Sequence, residues 1–347
     1  MTSTFNSLEA TLKASPHTWV ITGVAGFIGS HLLETLLRLN QNVRGIDNFI
    51  TGRKENLSLV QASVGAEAWS RFSFVEGDIL DAEKMKTLCK GCDFVLHQAA
   101  LGSVPRSIAA PMDTNRANVD GFLSTILAAR DSKAKRFVYA SSSSVYGSDV
   151  SMPKREEVIG EQLSPYAVSK YANELYARTF SRAYGIETVG LRYFNVFGAR
   201  QDPQGMYAAV IPRWISALVS GQSCTIFGDG ETSRDFCYID NVVQANLLSA
   251  FQPLSEPANV LNIACGSKTS LKDLYNLIAD ALLKRGAISK RPAPQFADFR
   301  AGDIRHSNAD ISKAKKIIAY EPPYDLPKGI ERTVDWYVEY LKKPRSA

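Results

Sequence analysis

The stretch best equipped for chemistry is Ser164-Pro165-Tyr166-Ala167-Val168-Ser169-Lys170. Tyr166 and Lys170 stand four residues apart, so on a helix they lie on one face, a turn above each other. A phenol titrates near ~10, and an ammonium beside it favours the phenolate, giving a base that can take a proton from an alcohol near neutral pH. Ser164 and Pro165 suit the start of such a helix, serine as cap and proline in the first turn. A second set of hydroxyls, Ser141-Ser142-Ser143-Ser144, follows the apolar run Phe137 to Ala140. Hydroxyls at a strand's carboxyl end can hold a substrate alcohol and the carbonyl it becomes, and Ser142 and Ser144 are the candidates to steady the reacting oxygen. Tyr-x-x-x-Lys alone is often an ordinary surface pair, so its meaning rests on what the chain places around it.

The elements able to position these groups are legible upstream. Trp19 to Thr22 reads as a buried strand, and Thr22-Gly23-Val24-Ala25-Gly26-Phe27-Ile28-Gly29 as a glycine-rich turn. Leu32, Leu33, Leu36, Leu37 and Leu39 mark a helix, and Val43 to Ile46 a second strand ending in Asp47. Strand, glycine turn, helix, strand, acid is the order of a dinucleotide-binding unit. Gly23 allows the turn, Gly26 lets backbone N–H groups approach a pyrophosphate, and Gly29 lets the helix pack on the sheet. Asp47 accepts from both hydroxyls of an adenine ribose and repels a 2′-phosphate, which points to NAD over NADP, with Arg53 and Lys54 pulling slightly the other way. Further strands are expected at Phe72 to Val75, before Gly77-Asp78-Ile79, at Phe94 to Leu96, before His97-Gln98-Ala99-Ala100, and at Phe137 to Ala140. Asp78 is placed to accept from the adenine amino group, and His97 is read as structural. A long helix is expected over Asn115 to Arg130, and Phe5, Leu8 and Leu12 suggest an extra helix at the start. Alternating strands and helices predict an α/β, Rossmann-type doubly wound parallel sheet with ligands at the strands' carboxyl ends.

Composition narrows the class. The 347 residues are 45% hydrophobic and 22% charged, with a net charge of +5 spread along the chain, which disfavours nucleic acid as a partner. No apolar run long enough to span a bilayer and no basic-then-apolar export pattern stands out, so the expected location is cytoplasmic, without membrane insertion. Five cysteines make an odd set, read as reduced thiols. The Cys89-Lys90-Gly91-Cys92 spacing lacks a second pair of ligands, so no metal is expected.

Taken together, the T-G-x-x-G-F-I-G turn, Asp47-Asn48, Gly77-Asp78-Ile79, His97-Gln98-Ala99-Ala100, Ser142 with Val145-Tyr146-Gly147, and Tyr166-x-x-x-Lys170 resemble the extended short-chain dehydrogenase/reductase family. Within it the chain is similar to bacterial nucleotide-sugar 4-epimerases acting on UDP-N-acetylhexosamines, through Ala100-Leu101-Gly102-Ser103-Val104-Pro105-Arg106-Ser107, Leu191 to Gly198 and Gly228 to Phe236. The resemblance implies transient oxidation at C4 of a UDP-sugar. Tyr166 removes the O4 proton, and Lys170 tunes the phenol and contacts the nicotinamide ribose. It implies cofactor contacts from Phe27, Ile28, Asn48, Ile79, Gln98, Ala99, Ala100, Tyr193 and Val196 besides the groups already named. It implies sugar contacts from Gly102, Ser103, Ser142, Ser143, Ser144, Asn195, Ala209 and Ser307, of which Gly102, Ser103, Ala209 and Ser307 are small enough to admit an N-acetyl group. Arg234 and Arg300 are candidates for the UDP phosphates, since guanidinium offers a planar fork of donors, and Asp303 for a ribose hydroxyl.

Residues 1–198 are thus expected to form the NAD-binding domain with its N-terminal helix, and residues 199–347 a smaller mixed α/β substrate lobe with some segments returning to the first. A homodimer and a place in surface polysaccharide synthesis are implied by the resemblance alone. Other readings are a 4-epimerase of UDP-N-acetylglucosaminuronic acid, a 4,6-dehydratase, a UDP-uronate decarboxylase, and a non-catalytic NAD-binding sensor or scaffold. The serine-rich stretch lacks the Asp-Glu pair usual in the dehydratases.

Overall fold

The apolar segments pair in parallel into one seven-stranded sheet. A computed structural model describes residues 3–203, 209–299 and 305–342. The strands are β1 (Thr18–Thr22), β2 (Asn42–Asp47), β3 (Phe72–Glu76), β4 (Phe94–His97), β5 (Arg136–Ser142) and β6 (Thr188–Tyr193), with a seventh strand, Ala258–Ile263, from the C-terminal half. Their order is seventh, β6, β5, β4, β1, β2, β3, every neighbouring pair parallel. The direction of winding reverses between β1 and β4, and a crevice opens there at the carboxyl ends.

Successive strand residues point to opposite faces, and both faces are covered. Trp19, Ile21, Leu96, Val138 and Leu191 share a core with the helices Ser3–Ala14, Phe27–Arg38 and Ile239–Phe251. Val20, Val95, Phe137 and Tyr139 share the other with Ala82–Cys89, Gly121–Asp131 and Pro165–Tyr184. Leu32, Leu33, Leu36 and Leu37 are fully buried, each worth roughly 1.5–3 kcal/mol, and they fix the helix that follows the glycine turn. Phe5, Leu8 and Leu12 are buried on the N-terminal helix.

The C-terminal half builds a lobe from the helices Val210–Val219, Leu271–Lys284 and Leu326–Lys342 and short strand pairs. Its core of Trp214, Ile226, Leu274, Tyr320 and Tyr337 continues from the first face of the sheet. Helix Ile239–Phe251 and the seventh strand return to that sheet, so the lobe and the sheet share one interior.

Two local differences from the sequence reading have clear causes. The expected continuous helix over Asn115 to Arg130 is instead Pro111–Asn115, a π turn Arg116–Asp120, and Gly121–Asp131. A Cβ at Gly121 would meet Ile79 Cδ1 at 2.5 Å, and the wider turn carries Asn118 inward onto its partners. Helix Lys54–Trp69, which periodicity does not announce, buries only Asn56 and Val60 and breaks at Gly65, where φ is 81°. It has no apolar stripe to read.

Candidate active site

A cleft of about 550 Å³ opens at the carboxyl ends of the central strands. Gly23, at φ +68°, turns the chain out of β1, and a Cβ there would stand 2.9 Å from the Ala99 backbone. A Cβ at Gly29 would stand 2.1 Å from the Gly23 carbonyl oxygen. Gly26 caps helix Phe27–Arg38 without any side-chain bond, so the first-turn N–H groups are left for an anion. Gly23, Gly26, Phe27, Ile28 and Gly29 all line the cleft, a backbone cradle of the shape a pyrophosphate requires.

Asp47, at the end of β2, is nearly buried, and burial raises its pKa against the pull of backbone donors. Its Oδ2 accepts from Ala25 N and its Oδ1 from Phe49 N, both at 2.9 Å. A Cβ at Gly52 would press on that carboxylate at 2.5 Å. Each oxygen keeps a second lone pair, so a fixed acceptor fork remains for two ribose hydroxyls. Asn48 donates to Asp78 Oδ2 at 2.9 Å, which ties the ends of β2 and β3 together, and Ile79 lies beside them in the wall. Gln98, Ala99 and Ala100 line the cleft after β4, and Tyr193 and Val196 after β6. His97 is buried with Nδ1 2.9 Å from Thr22 Oγ1, and burial lowers its pKa to about 3, so it is a neutral support under the glycine turn.

The catalytic candidates come from β5 and the helix Pro165–Tyr184. Ser164 caps that helix, accepting from Ala167 N at 3.2 Å, with Pro165 first in the helix. Tyr166, Lys170 and Ser142 reach the cleft together, and the Ser142 hydroxyl is hydrogen-bonded to the Tyr166 phenol. The Lys170 ammonium is buried and donates to the Ala140 carbonyl at 2.9 Å, and burial lowers its pKa to about 8. The expected depression of the Tyr166 pKa by Lys170 is not found. Desolvation outweighs the Ser142 bond and raises the phenol's pKa, while the ammonium is turned to the β5 carbonyl.

Behind this group lies a polar network. Ser141 donates to Glu174 Oε1 at 2.6 Å, and Arg192 donates to both oxygens of Glu174 at 2.9 and 2.7 Å. Both charges are almost fully buried, and this paired fork holds the catalytic helix against β5 and β6. On the π turn, Asn118 accepts from Leu101 N at 2.7 Å and donates to Ser169 Oγ at 3.0 Å, fixing the loop after β4 to the same helix.

On the sugar side, Gly102, Ser103 and Asn195 line the cleft. Ser103 and Asn195 have positive φ, 95° and 35°, strained backbone of the kind found at binding sites. A Cβ at Gly102 would meet nothing within 4 Å, so that wall is open. Ser143 and Ser144 sit in the following 3-10 turn outside the lining, with Ser144 N donating to Ser142 Oγ at 3.1 Å. Ala209, which begins helix Val210–Val219, is also outside the lining. Arg234 and Ser307 are brought together beyond the cleft as paired residues of a three-stranded sheet. Arg300 and Asp303 lie outside the described residues. The sequence reading missed Arg106, Ala117, Ile50 and Thr51, which also line the cleft, and Asn118. The helix cap at Ser103 was a usable signal for Arg106, and nothing in the periodicity marked the π turn.

Cys89 and Cys92 are buried and hydrogen-bonded to each other between a helix end and β4. Among the described residues, no helix is long and apolar enough to cross a membrane.

Residues 19–264 match the NAD dependent epimerase/dehydratase family. The UDP-glucose 4-epimerase of Mycolicibacterium smegmatis is 35% identical over 323 residues, covering 92% of this chain and 97% of that protein. The structure of UDP-N-acetylglucosamine 4-epimerase from Methanobrevibacter ruminantium, in complex with UDP-N-acetylmuramic acid, is 37% identical with a TM-score of 0.86, covering 94% of this chain and 99% of that one. UDP-glucuronic acid 4-epimerase from Bacillus cereus, with UDP-glucuronic acid and NAD, is 31% identical with a TM-score of 0.81, covering 93% and 99%.

Proposed function

Since the chain belongs to the NAD-dependent epimerase/dehydratase family, we propose that it is an NAD-dependent UDP-sugar 4-epimerase whose substrates are UDP-GlcNAc and UDP-GalNAc. The carrying observation is the junction of Ser142, Tyr166 and Lys170 in one cleft with a wall at Gly102 that is open for 4 Å around the Cβ position. An N-acetyl group needs such room, because steric overlap costs more than a lost contact.

The glycine cradle and Asp47 would hold NAD, which would supply a reversible hydride acceptor for C4 of the sugar. Tyr166 takes the O4 proton and later gives it back, with Ser142 steadying the oxygen as alcohol becomes ketone. The Lys170 ammonium beside the cleft favours the phenolate once its bond to Ala140 is relaxed. Arg234, with Ser307 alongside it, anchors the UDP phosphates, so the sugar can swing about that tether and present its other face. Ala209 and the residues after it border the space that the sugar sweeps.

A second reading has one residue in its favour. Arg106 lines the cleft four residues after Gly102, and its guanidinium suits a C6 carboxylate, as in UDP-N-acetylglucosaminuronic acid. A homodimer is proposed from the apolar side chains exposed on neighbouring helices, Ile108 and Met112 on one side and Val168, Leu175 and Tyr176 on the catalytic helix.

Proton NMR of purified protein with UDP-GlcNAc tests the assignment. The expected result is UDP-GalNAc, reaching the same equilibrium from either sugar. No reaction there, with conversion of the uronic acid, moves the assignment to the second reading, and inertness toward both overturns the proposal.

A further inference from the structure

Behind the wall between β4 and β6 lies a closed ring of hydrogen bonds. Gln98 follows β4, Tyr193 ends β6, and Asn246 lies on helix Ile239–Phe251. Tyr193 donates its proton to Gln98 Oε1 at 3.2 Å, and Gln98 Nε2 donates to Asn246 Oδ1 at 3.0 Å. Asn246 Nδ2 closes the ring on the Tyr193 oxygen at 2.9 Å and also donates to the Val242 carbonyl at 2.8 Å.

The ring has one consistent direction. The Val242 carbonyl only accepts, so it fixes Nδ2 of Asn246 on its side; Asn246 Oδ1 then takes the Gln98 Nε2 donor, and reversing Gln98 would set acceptor against acceptor. Burial raises the Tyr193 pKa, so the phenol proton stays in place. Asn246 is completely buried among Val242, Val243, Leu247 and Leu248, where an amide is costly unless bonded. Its bonds join the two walls on either side of β5, the strand that carries Ser142. Gln98 and Tyr193 face the cleft, and Asn246 does not line it.

We propose that Asn246 is a positioning residue for the cofactor half of the cleft, holding Gln98 and Tyr193 in the one orientation that receives the dinucleotide. The inference rests on the NAD reading above. Removing the amide leaves Gln98 Nε2 and the Tyr193 oxygen short of a partner, free to turn into the space that the cofactor needs.

Asn246→Leu keeps the size and the helix while removing both bonds, and Asn246→Asp keeps the shape while removing the donor. NAD affinity, read by calorimetric titration of protein stripped of nucleotide, is expected to weaken about tenfold in the Leu variant and in the same direction in the Asp variant. Turnover at saturating NAD is expected to stay within about threefold, because Tyr166, Lys170 and Ser142 are untouched. In a double-mutant cycle with Tyr193→Phe, the Leu substitution is expected to add less than about twofold to the loss of NAD affinity. A lowered melting temperature with unchanged NAD affinity, or full additivity in the cycle, overturns the role of Asn246. Failure of the unaltered protein to bind NAD overturns the cofactor reading instead.

Discussion

The two halves of the cleft are built on different principles. The cofactor half is made of strand ends: the glycine turn after β1, Asp47 and Asn48 at β2, Asp78 after β3, Gln98 to Ala100 after β4. Each is a short segment anchored at one end by the sheet, and cross-links such as Asn48 to Asp78 and Asp47 to Ala25 fix the segments to one another. The proposed sugar half draws on three places, the loop after β4, the loop after β6 and the C-terminal lobe. Gly102, Ser103 and Asn195 line the cleft, whereas Arg234 and Ser307 meet by a strand bridge outside it and Ala209 begins a lobe helix. A proposed cofactor half fixed by strand ends, beside a proposed sugar half that also draws on the lobe, suits a reaction in which the cofactor stays still and the sugar turns.

Substitutions can break that comparison, the largest effect first. Tyr166→Phe stands where the halves meet and is expected to lower kcat by ~10²–10⁴, the usual worth of a general base, while NAD affinity is kept. Parallel assays of turnover and NAD binding check it, and near-normal turnover removes Tyr166 from its role. Arg234→Leu addresses the sugar half alone. UDP affinity is expected to fall about 10–100-fold, as for a lost charge-assisted bond, with NAD affinity unchanged in the same titration series. Ala209→Tyr puts a bulky ring at the border of the space that the sugar is proposed to sweep. The kcat/KM ratio of UDP-GlcNAc to UDP-Glc is expected to drop about tenfold or more, and an unchanged ratio places the N-acetyl group elsewhere.

The smallest effect is a pH limb. Lys170 has its folded pKa lowered from 10.5 to about 8 by burial. Above about 8 the ammonium that favours the phenolate is lost, so kcat/KM is expected to decline on the alkaline side. Stability moves the other way. Between about 8 and 10.5 the unfolded chain binds the proton that the folded chain has lost, so this group's contribution to stability rises with pH. Activity and melting temperature measured across pH 7 to 10 in wild type and Lys170→Met separate the two trends.

Much of the cofactor half was legible because its chemistry is local. Gly23 to Gly29, Asp47, Asp78 and Gln98 to Ala100 each fall within a few residues of a strand end, and a strand ends where an apolar run ends. All the cofactor residues named from the sequence line the cleft. The Tyr166–Lys170 pair was legible for the same reason, since four residues on a capped helix fix two side chains on one face. The wall residues contributed by packing were not. Asn118 is buried on a π turn, and its partners Leu101 and Ser169 lie far from it in the sequence. Asn246 reads as one of several polar residues in the helix Ile239–Phe251 until Gln98 and Tyr193 are set against it.

By itself, then, the sequence determined the parallel sheet, the glycine turn after β1, an acid at the end of β2 and a tyrosine one helical turn from a lysine. These follow from periodicity and spacing, which act over a turn or a strand. Only the tertiary structure decided how the phenol and the ammonium stand toward each other, and which distant amides close the wall. Burial raises the Tyr166 pKa and lowers that of Lys170, and the Ala140 carbonyl draws the ammonium aside. Desolvation depends on everything packed around a group, and no local run of residues encodes it.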